Sequence, residues 1–310
     1  MFNLDIEIEN QQVILPILKE KKVELFIKRE DKIHPDVSGN KFRKLKYNIL
    51  QAKKLGHHKV LTFGGAYSNH ILATSVAAHK NDLSSLGIVR GDELKKDLDK
   101  VLKTNPTLRK ASDFGMQFYF VSREQYRDKM NPRFIRFLHD IYKEFYLIPE
   151  GGANELAVKG CEEILTKEDD KFDFICCAIG TGGTVSGIIN SSKKHQQILG
   201  FSALKGDFLY DDIQKFVTTN RWELITGYHF GGYAKYNDDL ISFINNFKKE
   251  TTVSLDPVYT GKMLYGILDL VKNDYFSPQS RILAIHTGGL QGIQGFNNRL
   301  QKKNFTQLIQ

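Results

Sequence analysis

A lysine follows Gly39 and Asn40 in the segment SGNKFRKLKYNILQAKKLG, residues 38–56, and the apolar residues after it recur at helical spacing. Cations are disfavoured at helix N-termini, where free backbone N–H groups carry partial positive charge. Lys41 is therefore either one more charge on a basic surface or a residue kept for its amine. A second feature is AIGTGGTVSGII, residues 178–189, where Gly180, Gly182 and Gly183 stand between a buried apolar run and an apolar helix start. Backbone amides exposed at such a turn, backed by the helix dipole, suit a phosphate. The loop is neither of two familiar phosphate motifs. The dinucleotide fingerprint needs glycine where Val185 stands, and a Walker loop needs Gly-Lys-Ser/Thr where Gly187 meets Ile188.

The same strand, glycine turn and helix recur in GGAYSNHILATSVAAH (64–79), IPEGGANELAVKG (148–160) and LAIHTGG (283–289). Ser68 and Asn69 stand at a helix start, where capping of free amides is their simplest use. Ligands of parallel α/β sheets sit outside the carboxyl ends of the strands, so these loops are expected to converge.

The elements that must hold them are short apolar runs: VELFIKRE, KVLTFGG, SSLGIVRG, MQFYFVSR, FYLIPEGG, FDFICCAIG, QILGFSA, ELITGYHF and RILAIHTGG. Helical patterns lie between most of them. Phe42, Leu45, Ile49 and Leu50 are expected to share one face, as are Phe134, Phe137, Leu138 and Ile141. This order predicts an α/β fold of parallel sheets covered by helices on both sides.

A chain of 310 residues, 41% hydrophobic and 26% charged, can bury a core and is long enough for two lobes. Its formal net charge of +8 raises nucleic-acid binding, but no zinc-finger spacing, RNP-type aromatic box or basic arm accompanies the lysines. A basic surface suited to an anionic small molecule is the favoured reading, with no nucleic acid and no membrane as partner. The first residues, MFNLDIEIENQQVIL, place acids where a signal peptide needs a basic region, so a cytoplasmic location is expected. The 3 cysteines, Cys161, Cys176 and Cys177, form no CxxC pair and read as reduced, buried thiols.

SGNKFRKLKY, GGAYSNH, EGGAN, GTGGTVSG, LDPVYTGK and AIHTGG occur in an order and approximate spacing that resembles the 1-aminocyclopropane-1-carboxylate deaminase / D-cysteine desulfhydrase family. The resemblance runs from about VELFIKRE to AIHTGG. It implies a pyridoxal 5'-phosphate enzyme with the two-lobed, parallel-sheet-based fold of the tryptophan synthase β-subunit type. The large lobe would comprise residues 1–43 and 148–310, the smaller one residues 44–147. A homodimer acting on a small amino acid is implied as well.

By the same resemblance Lys41 is the lysine joined to the cofactor aldehyde. An amine beside a helix N-terminus has its neutral form favoured, as attack on a carbonyl requires. Thr181, Gly182, Gly183 and Thr184 match the family's phosphate loop. Lys44 matches a lysine that approaches the phosphate, with a solvated helix charge as the alternative. Asn69 matches the partner of the cofactor's phenolic oxygen, and Ser68 a serine beside the substrate carboxylate that also moves protons; capping is the alternative for both. Tyr259 matches a tyrosine that reaches the substrate. Tyr233 lies near a second one, although FGGYAKYND departs from the family's glycine-valine/leucine-proline pattern, and a packed surface tyrosine is its other reading.

Two further positions bear on the chemistry. Thr260 stands where the ring-opening deaminases have glutamate, and Thr287 where they have leucine. A carboxylate shares a proton with the pyridine nitrogen, whereas a threonine only hydrogen-bonds to it. The resemblance thus implies α,β-elimination, with D-cysteine giving pyruvate, ammonia and sulfide. Deamination of the cyclopropane acid and a binding protein without turnover are the alternatives.

Overall fold

The apolar runs become strands of two sheets. In the computed structural model, which describes residues 7–206 and 209–309, the strands are β1 (Asn10–Val13), β2 (Glu24–Lys28), β3 (Lys59–Gly65), β4 (Ser84–Arg90), β5 (Met116–Val121), β6 (Tyr146–Ile148), β7 (Phe174–Ile179), β8 (Gln197–Ser202), β9 (Trp222–Ile225) and β10 (Arg281–Ile285). One sheet has six strands in the order β1-β2-β10-β7-β8-β9, the other four in the order β5-β4-β3-β6. The outer limits expected for the large lobe, residues 1 and 310, lie outside the described residues.

The most continuous apolar runs take the middle of the larger sheet. FICCAI of β7 and RILAI of β10 are neighbours there, and both are buried after their first residue. Burial on both faces requires such unalternating sequence. Parallel pairing holds throughout with one exception, the edge strand β1, which runs antiparallel to β2 with Asn10 opposite Lys28 and Val13 opposite Leu25. Its NQQV sequence carries no strand signal, because an edge strand covers little apolar surface. The FYLIPEGG run yields only Tyr146–Ile148, since Pro149 has no N–H to continue the ladder.

The helix Asn40–Lys54 buries Phe42, Leu45, Ile49 and Ala52, but Leu50 is 43% exposed. One residue is 100° of rotation, which carries Leu50 off the face that Ile49 occupies. In the helix Pro132–Tyr142 only Leu138 is fully buried, while Phe137 and Ile141 are exposed. That face covers the sheet along one line rather than as a broad stripe.

The arrangement matters for function because β2 pairs in parallel with β10, Lys28 opposite Ile285. Segments separated by most of the chain therefore leave the sheet side by side at its carboxyl edge.

Candidate active site

Lys41 lies in the first turn of the Asn40–Lys54 helix, and its position is set by the residue two before it. Gly39 has φ +61, and a Cβ there would stand 2.0 Å from the carbonyl oxygen of Thr287. Only glycine lets the helix start press so closely on the loop after β10. Asn40 N–H then donates to the same Thr287 oxygen at 3.2 Å. This contact turns Lys41 and Thr287 onto one cavity of about 610 Å³, which Lys44, Ser68, Asn69, Thr181, Thr184, Tyr233 and Tyr259 also line.

The amine of Lys41 is pulled down to about 7, first by burial and then by the charge of Lys44. A substantial neutral fraction near neutral pH makes it a nucleophile. Lys44, 2% exposed, points under the glycine loop. Its amine donates to Gly151 O at 3.0 Å and to Thr181 Oγ1 at 3.4 Å, and it has no ion-pair partner among the described residues. A solvated helix charge does not describe this lysine.

The loop itself runs from the end of β7 through Gly182, at φ +81, into the helix Gly183–Ser191. A Cβ on Gly183 would be 3.3 Å from Lys44 Nζ, and one on Gly180 would be 3.0 Å from the Tyr259 ring. Gly182 and Gly183 themselves do not line the cavity: a Cβ on Gly182 would stand 3.0 Å from Ile213. Thr184 Oγ1 accepts from Asn40 Nδ2 at 2.8 Å, tying the loop to the residue beside Lys41.

Ser68 occupies the N-cap position of the helix Asn69–His79 but makes no capping hydrogen bond. Asn69 Oδ1 is buried without a partner. Both side chains line the cavity instead, so capping does not account for them. Next in sequence, His70 is buried, and its Nε2 is 2.8 Å from Thr62 Oγ1. Burial, reinforced by Lys41 and Lys44, holds its imidazole well below the ordinary histidine range, so the ring is neutral.

Tyr259 and Tyr233 pack edge to face with centroids 6.2 Å apart. Burial, with Tyr233 as the next cause, pushes Tyr259 well above the ordinary tyrosine range, so it keeps its proton. Tyr233 lines the same cavity through this contact with Tyr259, yet it is 53% exposed, so it is at once a cavity residue and a surface one.

Thr260 departs from expectation. It is fully buried and does not line the cavity. Its hydroxyl donates to Asp256 Oδ2 at 2.7 Å and accepts from Asp256 N–H at 2.9 Å. The single hydroxyl hydrogen is spent inside the turn, so Thr260 has none to offer a cofactor ring. Asp256, which does line the cavity, was not singled out from the sequence. Its carboxylate also accepts the N–H groups of Val258, Tyr259 and Thr260, which sets the turn that presents Tyr259. An Asp-Pro pair ahead of a helix was the available signal. Arg90, at the end of β4, and Glu150, the first residue of EGGAN, also stand in the wall; the glycines of that segment, rather than its glutamate, carried the signal in the sequence.

A family model described as pyridoxal-phosphate dependent enzyme matches residues 12–288. The chain belongs to that family. Among its relatives, the bifunctional D-cysteine desulfhydrase/1-aminocyclopropane-1-carboxylate deaminase of Arabidopsis thaliana is 32% identical over 87% of this chain and 73% of its own. A Pyrococcus horikoshii protein named provisionally as a 1-aminocyclopropane-1-carboxylate deaminase is 31% identical, covering 93% of this chain and 91% of its own. The solved structure of an ACC deaminase homologue superposes with a TM-score of 0.82 at 28% identity, over 96% of this chain and 94% of that one. This pyridoxal-phosphate-dependent enzyme thus has the two-sheet fold of the tryptophan synthase β-subunit type.

The cavity fits the family's cofactor on its own evidence. A buried cation without a carboxylate lies under a glycine turn at a helix N-terminus, as a phosphate requires. A lysine amine of lowered proton affinity suits an aldehyde, and the unpartnered Asn69 Oδ1 suits a polar ring substituent.

Proposed function

We propose that this enzyme eliminates the β-substituent of a small amino acid, with D-cysteine and water giving pyruvate, ammonia and hydrogen sulfide. When bound, pyridoxal phosphate supplies an electron sink for charge that develops at the α-carbon. Lys44, Thr181, Thr184 and the backbone of Gly182 and Gly183 hold its phosphate. Asn69 would orient its ring, and Lys41 Nζ would hold its aldehyde. Lys41 Nζ, whose proton affinity burial lowers, would also be the base that takes the α-proton. Ser68 orients the substrate carboxylate. Tyr259 Oη, kept protonated by burial, donates to the departing sulfur, and Tyr233 closes the mouth above it.

One observation carries the preference for elimination over ring opening. The position that follows Tyr259 supplies a threonine whose hydroxyl is locked to Asp256, while Thr287, an uncharged residue, lines the cavity. Opening a cyclopropane ring starts without an α-hydrogen to remove and needs a strong electron sink. Elimination with a good leaving group proceeds with a weaker one. The relatives' names support either substrate, so the test is a keto-acid assay at matched cofactor occupancy. D-cysteine or β-chloro-D-alanine should yield pyruvate at least about tenfold faster than 1-aminocyclopropane-1-carboxylate yields 2-oxobutyrate. Equal or faster release of 2-oxobutyrate overturns the preference.

The same proposal includes lobes at residues 1–43 with 148–310 and 44–147, a homodimeric state, and work in the cytoplasm. No helix among the described residues is long and apolar enough to cross a membrane.

A further inference from the structure

Lys262, three residues beyond Tyr259, has no part in the chemistry above. Its side chain is 2% exposed, and it forms no ion pair among the described residues. Burying an ammonium without a carboxylate is costly, so the bonds it does make are informative. The amine donates to two backbone carbonyls, His229 O and Gly232 O, both at 2.8 Å. Burial lowers its proton affinity to about 8 against the opposing charge of Asp256.

Both carbonyls belong to the loop that carries Tyr233. That loop is poorly supported by local preference: Phe230, Gly231, Gly232 and Ala234 all have positive φ, at 53, 92, 118 and 53. For Phe230 and Ala234 the left-handed region costs about 1 kcal/mol each. Something outside the loop must hold it, and the helix Thr260–Lys272 does so at several points. Tyr228 donates to Asp269 Oδ2 at 2.7 Å, and the rings of Phe230 and Tyr265 meet edge to face at 5.0 Å. A Cβ on Gly266 would stand 2.8 Å from the Tyr228 ring. These contacts grip the loop's first residues, whereas the bond of Lys262 to Gly232 O carries the hold of this helix to the residue next to Tyr233.

We infer that Lys262 is a positioning residue that fixes Tyr233 against Tyr259 across the cavity mouth. One helix then sets both tyrosines, Tyr259 at its first turn and Tyr233 through the carbonyls that Lys262 grips. The inference rests on the reading that Tyr233 serves the elimination, but its loop-holding half can be tested without a substrate.

The experiment is a double-mutant cycle with Lys262→Met and Tyr233→Ala in the cofactor-loaded protein, read by pyruvate release from β-chloro-D-alanine and by amide hydrogen exchange. Lys262→Met should lower kcat/KM about tenfold in the presence of Tyr233 and less than about twofold in Tyr233→Ala. Exchange at Gly231–Lys235 should speed up while that of the β7 and β10 cores is unchanged. Lys262→Gln, which keeps one donor, should fall between wild type and Lys262→Met. Equal losses in both backgrounds, or unchanged loop exchange, overturn the inference. If neither variant folds, Lys262 is a core residue and the inference also fails. Faster loop exchange with full activity in Tyr233→Ala instead sinks the role of Tyr233 and leaves the clamp standing.

Discussion

Lys28, at the end of β2, and Lys44, in the helix that begins at Asn40, are each 2% exposed, yet only Lys28 has an anion. Its amine meets Asp169 Oδ2 at 2.7 Å, and the same carboxylate accepts from Asn10 Nδ2 and Thr166 N–H. Lys44 meets a carbonyl and a hydroxyl, with Lys41 as a neighbouring cation. Lys28 is thus neutralised within the chain, whereas Lys44 has no carboxylate partner among the described residues, and burial lowers the proton affinity of both Lys41 and Lys44.

If that contrast is sound, Lys41→Ala should abolish visible absorbance of the cofactor-loaded protein above 400 nm and lower pyruvate release at least about a thousandfold. Its far-ultraviolet circular dichroism should be unchanged. A variant with the wild-type band and turnover would remove Lys41 from the chemistry.

Lys28→Met should behave in the opposite way, losing about 3 kcal/mol of stability because the buried Asp169 is left without its partner. Activity per folded molecule should persist. Urea titration of the apo protein measures the first quantity, and a loss below about 1 kcal/mol would show that Asn10 and Thr166 suffice for Asp169.

The third outcome follows from the depressed Lys41. Its folded value of about 7 lies below the ordinary lysine value of 10.5, so the unfolded chain binds more protons in that window. Apo stability owed to this group therefore rises with pH between those values, and the penalty is complete below the lower one. Lys41→Met should melt higher than wild type at pH 7, by roughly 2 °C, with the gap closing towards pH 10. Water in the cavity relieves part of the burial cost, which keeps the shift small. A gap that widened with pH would contradict the assignment.

The smallest expected effect is at the loop. Thr184→Val removes the hydroxyl that accepts from Asn40 and should weaken cofactor affinity about tenfold, with the apo melting temperature changed by less than about 2 °C. Unchanged affinity on cofactor titration would place the phosphate elsewhere.

Central strands were legible because burial on both faces forces long apolar runs, as in FICCAI and RILAI. NQQV was not, since β1 has only one neighbour and little surface to cover. In the same way the glycine turns announce themselves, whereas the direction of a short side chain beside one does not. Thr260 shows the difference: a hydroxyl following a tyrosine at a helix start can face a cavity or its own turn, and Asp256 captures it. The buried state of Lys44 and the grip of Lys262 on a loop about 30 residues earlier depend on packing between distant segments, which no local pattern records.

The β2–β10 pairing has a consequence for how the protein is made. The four-stranded sheet draws only on residues 59–148, so its strands can pair while the rest of the chain is still being synthesised. Lys41 leaves the ribosome before any of them, but the wall it faces includes Thr287, and the strand that positions β2 ends at Ile285. A chain stopped between the glycine loop at residues 180–184 and that point has the lysine and the loop but not the enclosure they share. This cavity therefore takes its full wall only once β10 and the turn after it have been made.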